Sequence, residues 1–528
     1  MPASNEQLIP EPGTAAVRCY NVGLGDCFLL AFSRPEDEAR PYYVAIDCGI
    51  ARGTPDEEER ISTAVADIRD ATNGEIDLLI LTHEHYDHVI GFVHAAEIWQ
   101  EMTVHQVFVP WTEIEGDPDV EVVTIAARRL NAAADRAAER LAELDDAGFQ
   151  RLSILNGGLL AAGNEVFGIS AAEAIALGWQ TAQSLGPEGG PVYCEPGDVF
   201  SLNSTGVNAY ILGPPRPQNR AGKPVVSARG TPLLRVLEAK AEMYSYENLD
   251  GAPDVDPDLG LLLADPEADE AIASSLLGFG PEGDDRFLDY CPFDPSMRID
   301  WESAMDAGYF EDHYGAGEAW RRVDFDWLGQ AADIALRAGG YTNNLSLVVA
   351  FELPGTKKVL LFVGDAQVGN WLSWREIGNW WPVGEDGPGD AVDIDDLLAR
   401  VAFYKVGHHG SHNATTRGSG LEKMGQGDLT AYVPVSVGVA HDIMTYCPMP
   451  YYPLMAALQR RTGGAVYLGN GDLLEPLPAG ADRDELTRNV RHSDAQLGPK
   501  IRIRDDETEE LLEGPVPLWT EFTIIDEA

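Results

Sequence analysis

The apolar run LLILT at residues 78–82 leads straight into His83-Glu84-His85-Tyr86-Asp87-His88, and no other stretch of the 528 residues limits the possible folds as much. Three imidazoles in one short turn repel one another when protonated and lose hydration when buried, so the cluster has to be offset by something it binds. A five-residue apolar segment flanked by polar residues reads as a short buried strand. Extended backbone alternates its side chains, which places His83, His85 and Asp87 on one side while His88 turns away beside Asp87. That spacing lets two imidazoles hold one cation and an Asp-His pair hold a second close by. Nitrogen and carboxylate donors suit zinc, with manganese and iron as alternatives. The competing account, a polar loop whose histidines satisfy backbone groups, gives no reason for HxHxDH at the end of a buried strand.

The rest of the chain predicts a β-rich framework around this turn. VRCYNVGLGDCFLLAF (17–32) and YYVAIDCGI (42–50) read as strand, glycine turn, strand and a third strand ending at Asp47. Gly25-Asp26 is expected to be a tight turn beside the cluster. The β pattern returns at 197–217, at 343–366 and again at 401–416 and 431–440. Residues 121–147 carry an Ala-, Arg- and Leu-rich amphipathic helical pattern. The expected organisation is a first half over 1–216, an acidic Pro- and Gly-punctuated insertion over 217–340, a second half over 341–475 and a C-terminal extension over 476–528. His94 and His313 are expected to be structural or surface residues, and the tryptophans of WLSWREIGNWW to pack in the core.

Charge narrows the choice of partner. The formal net charge of −49 repels polyanions over most of the surface, so long duplex nucleic acid is disfavoured and would need a local basic groove. The acidic residues are dispersed, as on a heavily solvated surface in a salty cytoplasm. No apolar run reaches about 18 residues and the N-terminus lacks a signal-peptide pattern, which predicts a cytoplasmic protein without membrane segments. The six cysteines have no CxxC spacing and are expected to be free, buried thiols.

HxHxDH after an apolar strand, preceded by IDCG and followed by FVGDA and KVGHHGS, resembles the metallo-β-lactamase fold superfamily. Within it the chain is most similar to the hydrolase domain of the bacterial DNA-uptake protein ComEC, through NVGLGDC, NNLSLVV, HHGS and the later SVG. The resemblance implies an α/β (α+β) fold, a four-layer αββα sandwich carrying a large insertion. It implies two divalent metal ions, zinc first and manganese second. His83 and His85 would bind one ion, Asp87 and His88 the other, Asp365 would bridge, and one of His408 and His409 would complete the second site. Asp47 would orient a ligand. A histidine common ahead of the Gly-Asp strand is replaced by Thr342-Asn343-Asn344, leaving the first ion short of a protein ligand.

Two adjacent cations turn a bridging water into hydroxide near neutral pH and withdraw charge from the bond it attacks. Asp87, His408 and His409 are the expected catalytic residues, with Ser411, Asn413, Thr415 and Asn344 as substrate-binding groups. The expected substrate is a phosphodiester or nucleotide. Hydrolysis of a lactone, β-lactam or phosphorylcholine ester is the alternative, as is a non-catalytic binding protein that meets a protein partner through the insertion.

Overall fold

The computed structural model describes residues 7–120, 171–218, 243–244, 342–440, 449–497 and 516–527, apart from 38, 381–382, 385–386, 389–390 and 426–427. The helical pattern at 121–147, nearly all of the acidic insertion and His313 lie outside the described residues.

Runs rich in Val, Ile, Phe and Tyr form strands throughout. Those of the two large sheets begin with β1 (Thr14–Tyr20), β2 (Cys27–Phe32), β3 (Tyr42–Cys48), β4 (Leu78–Ile80), β5 (Val107–Pro110) and β6 (Val192–Cys194). The next seven are β7 (Val199–Ser201), β8 (Asn208–Gly213), β9 (Val348–Glu352), β10 (Val359–Phe362), β11 (Val401–Lys405), β12 (Thr430–Val433) and β13 (Val466–Leu468). The chain closes with β14 (Val490–His492) and β15 (Trp519–Ile525).

These strands make an eight-stranded sheet in the order β14-β15-β1-β2-β3-β4-β5-β6 and a seven-stranded sheet in the order β13-β12-β11-β10-β9-β8-β7. Each sheet is antiparallel in one part and parallel in the other: β3, β4, β5 and β6 run parallel, as do β10, β11, β12 and β13. Two sequence ranges contribute to sheets in ways their position along the chain does not suggest. β7 and β8, from the first half, pair into the second sheet, and the C-terminal range adds β14 and β15 to the first.

Alternation decides the layers. Along β1, Ala15, Val17 and Cys19 join Phe28, Phe362, Phe403 and Tyr432 in a core between the sheets. Ala16 and Tyr20 face the other way, onto α1 (Glu57–Thr72) and α3 (Ala171–Ser184), through Ile61, Val65, Ile68 and Trp179. The far face of the second sheet packs on α4 (Val368–Ile377) and α5 (Tyr452–Thr462), through Trp371, Trp374, Leu454 and Leu458. The outcome is the expected αββα sandwich, with Phe28 edge-on to Phe362 across its centre at 5.6 Å. Trp371, Trp374 and Trp380 are buried core residues, as their pattern suggested. Cys19, Cys27, Cys48 and Cys194 are free, buried thiols. No described helix is long and apolar enough to cross a membrane.

Candidate metal centre

The parallel strands of both sheets end at one rim, and their following loops carry the polar residues. Two close approaches shape that rim. A Cβ on Gly49 would fall 2.1 Å from the Asp87 carbonyl carbon, so only glycine lets the β3 exit pass the histidine turn. Gly364, in the left-handed region at φ +51, brings the β10 exit against Thr82 and turns Asp365 inward.

Beyond β4 the backbone bends at Glu84, where the His85 amide donates to the His83 carbonyl at 3.1 Å; His85 itself is extended (φ −123, ψ 154), and then α2 (Tyr86–Val89) begins. This departs from the fully extended turn expected from sequence. The helical turn brings His88 back to the cluster rather than away from it, with Asp87 beside it. Asp47 orients the turn: it accepts hydrogen bonds from the Thr82 amide at 2.8 Å, the Thr82 hydroxyl at 2.6 Å and His88 Nδ1 at 2.8 Å. A carboxylate on Nδ1 fixes the tautomer and leaves Nε2 as a lone-pair donor. His83 Nδ1 sits 3.0 Å from the Thr82 hydroxyl, and its Nε2 meets His85 Nδ1 at 3.1 Å.

On the opposite side Asp365 Oδ2 lies 3.4 Å from both His88 Nε2 and His409 Nε2, and His409 Nε2 is 2.8 Å from Asp87. His409 Nδ1 donates to the Pro434 carbonyl at 3.0 Å, which again frees Nε2. Of the two adjacent histidines, His409 therefore aims at the carboxylates. His408 turns to Ser411, 2.7 Å from its Nδ1, and to the Asn343 amide, 3.1 Å from its Nε2. Both histidines hold left-handed backbone, at φ 41 and 50, a strained pair of conformations for residues with side chains.

One ligand atom from each of Asp26, His88, Asp365 and His409 lies within 4.8 Å of the others, and all four residues are buried. His85 Nε2, His88 Nε2 and Asp26 Oδ1 have no hydrogen-bond partner. Buried, unpartnered donor atoms of this kind are costly unless a cation takes them, so the residues present fit divalent metal. Burial, with His88 and His85 nearby, holds His83 well below the usual imidazole range; burial brings His85 down to about 4. Burial also opposes the charged form of His409, but Asp365 and Asp87 outweigh it and raise that ring to about 10. His88 is raised by Asp365, Asp26 and Asp87 against the same burial. Without metal, protons on these two rings stand in for cationic charge.

Asn413 lies next to this set, accepting from Ser411 at 2.9 Å. Two residues expected to face substrate do not. Asn344 turns to the start of α4, where its Oδ1 accepts from the Asn370 amide at 3.1 Å; its neighbour Asn343 occupies the cluster side. Thr415 is buried and bonds the Tyr404 hydroxyl at 2.8 Å, because a polar side chain on that inward position needs a partner away from solvent. His94 lies 3.4 Å from Glu57, away from the cluster. Sequence reasoning did not assign Asp26 or Lys405 to the site. The first was visible only as a turn residue; the second was signalled by a lone charge closing the apolar run VAFY.

Comparison with known proteins adds one match. Residues 43–107 match the family model described as the metallo-beta-lactamase superfamily. No curated protein and no solved structure matches the chain. The matched span holds Asp47, His83, His85, Asp87 and His88, and the fold around it is of the metallo-β-lactamase type, a family of metal-dependent hydrolases. Asp365 and His409 lie beyond the match and are supplied by the second sheet. The model is that of the superfamily as a whole and shows no nearer likeness within it.

Proposed function

We propose that this chain is a cytoplasmic phosphodiesterase or nuclease that works with two divalent ions, zinc first and manganese as the alternative, on a small or single-stranded nucleotide substrate. The observation that carries the reading is the convergence of His83, His85, Asp87, His88, Asp365 and His409 at one rim, with buried nitrogens left unpartnered. His83 and His85 would hold one ion; Asp87, His88 and His409 would hold the other, and Asp365 stands between. When bound, such a pair activates water as a nucleophile and draws charge from a phosphoryl oxygen.

The chain's own groups do the rest. Ser411 donates its proton to Asn413, so the 2.7 Å contact with His408 is filled by the ring's Nδ1 proton. That places the lone pair on His408 Nε2, facing the Asn343 amide. His408 and Asp87 are the partly exposed members of the set, and substrate has to approach from their side. The His408 ring would then hold the Asn343 side-chain amide in place, and the second proton of that amide would hydrogen-bond a phosphoryl oxygen. A net charge of −49 supports a short or single-stranded substrate over long duplex.

Metal-loaded protein should be assayed on bis-p-nitrophenyl phosphate, single-stranded DNA, RNA, cyclic nucleotides and a chromogenic lactam. Turnover of a phosphodiester is expected. Turnover confined to the lactam would replace the substrate assignment, and metal-free protein after reconstitution would remove the centre itself.

A further inference from the structure

Lys405 closes β11 with a charged side chain that is fully buried. Its three N–H donors meet three acceptors: the Gly364 carbonyl at 2.7 Å, Asp365 Oδ1 at 3.4 Å and the Asp26 carboxylate in close contact. Asp26 comes from the turn before β2, and its backbone is tied on both sides. Its amide donates to the Asp87 carbonyl at 3.0 Å, and its carbonyl accepts from the Gly49 amide at 2.9 Å. The lysine and aspartate thereby join the exits of β3, β10 and β11 to the histidine turn.

The two oxygens of Asp365 are used differently. Oδ1 is occupied by Lys405 and by the His408 amide at 3.1 Å, whereas Oδ2 faces His88 and His409. A buried ion pair is weak evidence for stability, since desolvation offsets most of its attraction. An ammonium beneath cations is worse still in Coulomb terms, because it repels them. Simple electrostatics therefore assigns Lys405 a role that weakens metal binding. The geometry assigns it the opposite one.

We propose that Lys405 and Asp26 are a positioning pair for the metal centre: Lys405 pins Asp365 by Oδ1 so that Oδ2 alone is presented to the ions, and Asp26 holds the ammonium in place. The inference rests on the metal centre proposed above. Outer partners that orient a ligand commonly change metal affinity by about 10–100-fold when removed. Repulsion and positioning thus give opposite signs for one substitution.

The test uses the full-length chain as wild type, Lys405→Met, Asp26→Asn and the double variant. Elemental analysis gives metal per chain, chelator competition gives affinity, and melting of the metal-free forms gives stability. Lys405→Met should weaken zinc affinity by at least about tenfold. The double variant, with neither an ammonium nor its carboxylate partner left alone, should recover the melting temperature but not the affinity. If Lys405→Met does not fold, the double variant is read against Asp26→Asn, so that only the further loss caused by removing Lys405 counts for the positioning role. Unchanged or tighter zinc binding in Lys405→Met, or affinity that returns with stability in the double variant, overturns the positioning role. Wild type that takes up no metal would instead overturn the centre itself.

Discussion

On the His83 and His85 side of the rim, two neutral imidazoles meet with the Ser346 hydroxyl 3.3 Å from His83 Nδ1, whereas on the His88 and His409 side two imidazoles and an ammonium stand among Asp26, Asp87 and Asp365. Both sides are buried, so both have to resolve the cost of buried polar groups. The first does so by staying uncharged; the second by pairing opposite charges. A cation entering the first side meets lone pairs and displaces few protons, but finds few ligands. A cation entering the second finds a rich ligand set and has to displace protons from His88 and His409.

The largest effect should follow from removing the residue common to both sides. Asp365→Ala takes away the carboxylate facing His88 and His409 and leaves Lys405 without one of its partners. Metal content should fall below one ion per chain, and phosphodiester turnover should drop on the order of a thousandfold or more. Elemental analysis beside steady-state kinetics measures both. Full activity would place the catalytic centre elsewhere.

The contrast sharpens at the adjacent asparagines. Asn343 has a buried, unpartnered Oδ1 and an amide on His408, while Asn344 is spent on Asn370. Asn343→His should supply the sparse side with a nitrogen donor and tighten its ion by about tenfold, or 1.4 kcal/mol. Asn344→His should give no such gain and should loosen the start of α4. Isothermal titration of zinc into the two variants distinguishes them; equal gains would mean that neither asparagine stands at the ion.

Much of this centre was legible because the metal-binding residues come as short motifs at strand ends. HxHxDH stood out by its own spacing, while the Asp of FVGDA and the pair in HHGS were assigned by the family resemblance, with which their place at strand ends agrees. The four-layer architecture followed from the same resemblance. What sequence did not carry was orientation. Whether His408 or His409 points inward depends on two left-handed residues, and which asparagine faces the cluster depends on where α4 begins. Asp26 and Lys405 are 379 positions apart, and nothing local marks them as partners. β15 was unreadable as part of the first sheet for the same reason. Its place is set by antiparallel pairing with β1, the residue-for-residue ladder from Thr14 opposite Ile525 to Tyr20 opposite Trp519.

Protonation offers a smaller effect that separates the two sides without mutation. His83 and His85 are held low, so below about 6.5 the unfolded chain takes up protons that the folded chain refuses, and stability falls as pH drops toward about 4. His88 and His409 are held high. Their contribution is fully present below about 6.5 and is lost as pH rises through the folded value of about 10 for His409. Metal-free protein should therefore melt highest near pH 6.5 and lower on both sides. Bound cations replace the protons on His88 and His409, so loaded protein should lose the alkaline decline. Melting curves across this range, with and without chelator, test it; superimposable profiles would break the distinction between the sides.

The smallest effect contrasts the buried centre with the surface. Cations are outnumbered outside: Arg216 alone is shared by Asp117, Asp119 and Glu195 at 2.8, 3.5 and 2.8 Å. With a net charge of −49, the acidic groups left over repel one another through solvent, and salt at 0.1 M screens that repulsion beyond about 10 Å. The interactions among Asp26, Asp365, His88 and Lys405 lie within 4 Å and away from water, where screening is weak. Added KCl should therefore raise the melting temperature by a few degrees while leaving zinc affinity nearly constant, measured by chelator competition in the same buffers. A melting temperature flat from low to molar salt would show the acidic surface to be ordinary solvation. Zinc affinity that fell steeply with salt would mean that the centre is wetter than its burial indicates, and that the carboxylates facing it are compensated by solvent ions rather than by Lys405.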